Sequence, residues 1–158
     1  MKKVLWFMLC MTVLISTSIQ AQTKPASSDM EILRQKIKAD KKLVVAANVQ
    51  LTESEAKGFW PVYEAYQKDL AAINDRTAKL IVSYADAYKK GPVSNETAKK
   101  LLAEYLAIED AEVKLKHSYV PKLEKAIPDM KVARYLQIEN KIRAIIKYEL
   151  AAGIPLVE

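Results

Sequence analysis

One spacing constrains this chain more than any other feature. Two long segments carry apolar residues alternately four and three positions apart, and Gly91-Pro92 separates them. The first seam is Phe59, Tyr63, Tyr66, Leu70, Ile73, Thr77, Leu80, Tyr84 and Ala87; the second is Ala98, Leu101, Tyr105, Ile108, Glu112, Leu115 and Tyr119. Such spacing belongs to one face of a helix, and no stretch shows the period-two alternation of a half-buried strand. Glycine followed by proline stops the first helix, and a short turn between two seams makes an antiparallel hairpin. Matching the arms about that turn pairs Tyr84 with Leu101, Thr77 with Ile108, Leu70 with Leu115 and Tyr66 with Tyr119. Ile81, Tyr88 and Leu102 lie beside the seam and widen it, so other helices are expected to cover that side.

The helix ends are written in capping chemistry. Thr52 followed by Glu55 is a capping box, in which each side chain satisfies the other residue's free backbone donor. Ser94 or Asn95 caps the second arm. Pro61 and Pro121 fall inside the arms, where each removes a donor and should bend its helix. Ile127-Pro128-Asp129 interrupts the second arm, and a last helix then runs from Met130 to near Ala152. It presents Val132, Tyr135, Leu136, Ile142, Ile145, Ile146 and Leu150, with Gly153 as its stop. A first helix from Ser28 or Asp29 to near Asn48 offers Ile32, Leu33, Ile37, Leu43, Val44 and Ala47. The expected fold class is therefore all-α: a long antiparallel helical hairpin packed with an N-terminal and a C-terminal helix.

The first residues read as a different kind of segment. Met1-Lys2-Lys3 is a basic start, Val4 to Ile15 is an apolar run, and Ser16-Thr17-Ser18 turns polar before Ile19-Gln20-Ala21. A run of that length is short for a membrane span and fits a secretory signal, with cleavage after Ala21. Residues 1–21 are thus expected to be a signal peptide, 22–28 a flexible leader and 29–158 a single helical domain in the periplasm or outside the cell. After processing no integral membrane segment is expected. Cys10, the one cysteine, would leave with the signal, so the mature chain would stabilise itself by packing without disulfides.

Charge points away from nucleic acid. Loss of Lys2 and Lys3 lowers the net charge from +6 to +4, and most of the excess precedes residue 45. Residues 52–90 and 94–127 each carry six basic and six acidic side chains, the mixture of a solvated helix surface rather than a basic stripe.

Little in the sequence carries catalytic chemistry. His117 is the one histidine, and Lys114 stands where a bundle-type metal site would need a glutamate, so no metal and no cofactor is expected. Glu112 and Glu139 fall on apolar stripes, where each is expected to pair with a Lys, Arg or Tyr rather than to act as acid or base. With no phosphate-binding loop and no nucleophile, the chain reads as a binding protein and not an enzyme. Phe59, Trp60, Tyr63 and Tyr66, joined by Tyr119 across the hairpin, form its densest unusual cluster. They are either core or a surface for a client or partner, and neighbouring Phe59 and Trp60, about 100° apart on a helix, cannot share one seam.

A loose repeat links two helix starts. Leu51-Thr52-x-x-Glu55, with Phe59 eight positions after Leu51, can be set against Ile127-Pro128-x-x-Lys131, with Tyr135 eight positions after Ile127. In this the chain resembles the Spy/CpxP-like family of periplasmic helical proteins, which carry two Leu-Thr-x-x-Gln motifs at helix starts around a long hairpin. Here the first motif ends in Glu55 and the second is degenerate. The resemblance implies ATP-independent chaperoning or envelope-stress sensing by a concave homodimer, with unfolded or envelope proteins as partners. It also implies occasional metal binding, for which this chain lacks the His-rich segment. The alternative reading is a structural adaptor docking on another envelope component. Trimeric basic holdases of similar length would need strands, which this pattern does not supply. On the export reading, the intact mass of protein recovered from the periplasm should begin at Gln22, and a mass retaining the apolar run would refute cleavage.

Overall fold

The protein is described here from a computed structural model, which describes residues 40–157. The expected signal, the leader and the apolar positions Ile32, Leu33 and Ile37 lie outside the described residues. Within them the chain forms α1 (described over 40–49), α2 (Glu53–Tyr88), α3 (Asn95–Glu124) and α4 (Asp129–Gly153), with no strand. The all-α expectation holds, and α2 packs along α3 as the two arms of the hairpin.

The helix boundaries follow the capping chemistry. Glu55 N–H donates to Thr52 Oγ1 at 3.3 Å while Thr52 N–H donates to Glu55 Oε2 at 2.7 Å, completing the capping box. Ser94 caps α3 by accepting from Thr97 N–H. Both helices continue past their internal prolines, whose rings lie on the exposed side. α2 ends at Tyr88, just past the last seam position Ala87, and Lys89 and Lys90 already belong to the turn. There Gly91 adopts φ +120°, a backbone conformation that a side chain would strain, and Pro92 follows. At the other end of the hairpin, Gln50 reverses the chain between α1 and α2 with φ +56°.

The core gathers at the end of the hairpin remote from Gly91. Phe59, Tyr63, Tyr66, Leu70, Tyr119, Leu123, Ile127, Val132 and Tyr135 are buried there together with Val45 and Val49. Tyr66 meets Tyr119 edge to face at 5.3 Å, as the matched arms required. Tyr135 from α4 packs on α2 and stands edge-on to Phe59 at 5.1 Å, with Tyr63 and Tyr66 around it. Such offset ring contacts add to the stabilisation from area burial alone.

Two expectations about cover are corrected. On α1 the buried residues are Val45 and Val49, whereas Leu43 (69% exposed) and Val44 face outward and Ala47 is exposed. The buried face is Lys41-Val45-Val49, four residues apart, and a lysine at its head hides the stripe from a reading that counts apolar residues. Lys41 fits because its stem lies against the core while its ammonium reaches Glu139 Oε2 at 2.6 Å. Nor is the far side of the hairpin covered: Leu102 is 57% exposed, and Tyr88 and Tyr105 are also open. On α2 no residue beyond Ile73 is buried, and on α3 none before Ile108.

A core built from phenols has a signature at high pH. Burial raises the Tyr63, Tyr66, Tyr119 and Tyr135 hydroxyls above their usual value, Tyr66 and Tyr119 to about 12. Asp69, which accepts from Tyr119 Oη at 2.6 Å, adds to the shift there. Above the ordinary tyrosine value the unfolded chain holds fewer protons than the folded one, so stability falls as pH rises, at about 1.4 kcal/mol per pH unit for each such group. Burial lowers Lys41 and acts in the opposite sense, but one ammonium is outweighed by four hydroxyls. Thermal unfolding should therefore shift steeply downward between about pH 10 and 12, and Tyr66→Phe with Tyr119→Phe should flatten that slope. A flat profile in the wild type would contradict the buried-phenol core.

Candidate binding groove at the open end of the hairpin

The aromatic cluster singled out in the sequence is not a surface. Phe59, Tyr63, Tyr66 and Tyr119 are buried, so of the two readings of these residues the core holds and the client-binding face does not. Trp60 alone reaches the edge, half-buried, stacked edge-on against Phe59 and Tyr63 with Lys42 Nζ 5.0 Å from its ring centre. Periodicity identifies the face these rings share but not what covers it. Here Tyr135 and α1 do.

The two helix-start motifs are also joined. Leu51 packs partly buried against the core, Ile127 is buried, and Pro128 is the exposed N-cap of α4. Lys131 Nζ reaches Glu55 Oε2 at 2.6 Å and the Gln50 carbonyl at 2.8 Å. The fifth residues of the two motifs therefore pair with one another, and the Lys131 hydrogen bond holds the Glu55 carboxyl below its usual range. This region ties α1, α2 and α4 together, and beside it Asn48, Gln50, Arg134 and Lys141 line a polar hollow of about 390 Å³.

Both stripe carboxylates are paired, as expected. Glu139, 2% exposed, takes Lys41 on one oxygen and the Gln67 side-chain amide on the other at 2.8 Å. Glu112 accepts from Arg143, and Lys147 bridges Glu112 at 3.2 Å and Glu109 at 2.7 Å. His117 is exposed, and no metal-holding cluster of His, Cys, Asp or Glu occurs among the described residues.

The concavity lies where the sequence seam continues but the core does not. Between the Gly91 ends of α2 and α3 and the last turns of α4 opens a groove of about 560 Å³. Leu80 and Tyr84 contribute from α2, Leu101 and Tyr105 from α3, and Leu150 from α4, while the segment 154–157 after α4 supplies one wall. Pockets of about 300–1,000 Å³ with apolar linings are the usual size for small ligands or side chains. Its closed end is the Glu109–Lys147–Glu112 bridge, where two carboxylates face Lys147 and Arg143, so the charges balance locally. Two hydroxyls in the groove are engaged: Thr77 Oγ1 donates to the Ile73 carbonyl and Tyr84 Oη to the Pro155 carbonyl. The arrangement is suited to removing apolar groups from water. The chain matches no known family, no curated protein and no solved structure, so function has to be read from this geometry.

Sequence reading missed the groove because it arises from cover that is lacking, which a single stripe does not reveal. One signal was present: the seam residues beyond Ile73 and before Ile108 include Thr77, Ala87 and Ala98, too small to fill matched layers. The charged end should be structural. Arg143→Met leaves Glu112 buried beside Lys147 alone and should cost about 3 kcal/mol in urea unfolding, while adding Glu112→Leu should recover most of that loss. An equal loss in the double variant would mean that the cluster acts through something other than charge pairing.

Proposed function

We propose that the protein is an exported, ATP-independent holder of apolar polypeptide segments, an envelope-stress chaperone of the periplasm rather than an enzyme. The observation that carries this is the open apolar groove at the end of the hairpin remote from the aromatic core. Leu102, Leu106 and Val113 extend the apolar surface beside it along α3, each more than 45% exposed. Contiguous exposed apolar surface of this kind marks interaction sites on proteins that remain soluble. The signal-like start and the likeness to Spy/CpxP-like proteins favour the same reading, and no helix among the described residues is long and apolar enough to cross a membrane.

The occupant is a segment of an unfolded chain. The groove offers no unmatched charge to a polar ligand, and an apolar segment of the protein itself already lies along its wall. Clients would be drawn by the mixed charged surface and retained by apolar contact. Aggregation of several unrelated unfolded proteins should be slowed without ATP at a few-fold excess. Leu102→Ser, at an exposed site, should change stability by no more than about 0.5 kcal/mol yet reduce suppression several-fold. Trp60→Ala should act mainly on stability. If the wild type protects none of the clients, the chaperone reading fails and an adaptor with one stoichiometric partner takes its place.

A further inference from the structure

We infer that residues 154–157 are a built-in surrogate for the groove's ligand, and that the ligand is an extended apolar peptide whose backbone carbonyl accepts the Tyr84 hydroxyl. The inference deepens the chaperone reading and rests on it for the location of the site. α4 stops at Gly153, and Ile154 turns to extended geometry with φ −102° and ψ 117°. Pro155, which cannot donate to a helix, keeps the chain out of helical pairing. Ile-Pro-Leu-Val then runs along the groove, and Tyr84 Oη donates to the Pro155 carbonyl at 3.0 Å.

The attachment is slight. Ile154 is half-buried, but Leu156 is 87% exposed and Val157 57% exposed. A Cβ placed on Gly153 would meet nothing within 4 Å, so no neighbouring group packs against the point where the segment leaves α4. With the segment as one wall the groove still holds about 560 Å³ of open space, so the segment lines the site without filling it. These are the properties of a strap that occupies a binding surface and yields it to a better occupant. An extended segment of an unfolded chain presents the same chemistry: apolar side chains and free backbone carbonyls. Because the charges at the closed end satisfy one another, a charged peptide gains no partner there.

The test uses a fluorescent peptide, Gly-Ile-Pro-Leu-Val, and fluorescence anisotropy. The full chain carrying Ile154→Asp, which detaches the strap, should bind the peptide at least about ten-fold more tightly than the wild type, about 1.4 kcal/mol. In that background Tyr84→Phe should weaken binding several-fold, and a peptide with Asp in place of its Ile, the counterpart of half-buried Ile154, should not bind. The chain cut after Gly153 provides a second released form, with its helicity checked by circular dichroism. Equal affinity for wild type and both released forms, or weaker binding by them, would show that residues 154–157 are a fixed wall and overturn the inference. Aggregation assays on the same proteins separate the two readings. Peptide binding without protection sinks the chaperone but keeps the strap; protection that is identical in all forms, without peptide binding, sinks the strap alone.

Discussion

Tyr135 is the contact on which the rest of the fold depends. It projects from α4 onto α2, fully buried, and meets Phe59, Tyr63 and Tyr66. Its hydroxyl accepts from the Gln67 amide, which also donates to Glu139, and Glu139 in turn holds Lys41 of α1. One ring and one polar chain thus join α1, α2 and α4. Desolvating Lys41 and Glu139 is costly, and their attraction offsets that cost only in good geometry. The arrangement buys alignment more than stability: apolar faces alone would let α1 roll, whereas a buried ammonium must find its carboxylate.

Concentrating the buried rings at one end has a consequence at the other. Layers such as Thr77 with Ile108 and Ala87 with Ala98 are too small to fill the space between the arms unless another helix descends into it. On α4 the residues beyond Glu139 leave Ile145 at 65% exposed and Ile146 at 45%. The Glu112–Arg143 pair marks the transition, fastening α4 to α3 where the aromatic core has ended. Beyond it the hairpin keeps its helices but not a core, and the groove follows from that division.

What was legible in the sequence was periodic or local. The spacing of four and three gave both arms, and Thr52 with Glu55, Ser94 and Gly91 gave their ends, because each acts within a turn of helix. The paired state of Glu112 and Glu139 could be anticipated, since a carboxylate on an apolar stripe is tolerated only with a partner. What was hidden depended on a third helix. Val45 and Val49 were obscured by Lys41 at the head of their face. The aromatic cluster was left open between core and surface, because Tyr135 lies some seventy positions from the rings it covers. The pairing of Glu55 with Lys131 likewise joins helix starts that local capping rules treat separately.

The two buried carboxylates also explain why one end can serve binding without loosening the other. Glu139 sits within the aromatic core, and Glu112 at its boundary, so α4 is fixed at two heights along its length. A ligand that displaces the segment after Gly153 disturbs only groups beyond the second of these anchors, where no residue of α2 or α3 is buried. Local opening draws on contacts already weak and leaves the rings around Tyr135 intact. Binding and folding therefore draw on separate parts of the same hairpin, divided at the level of Ile73 and Ile108.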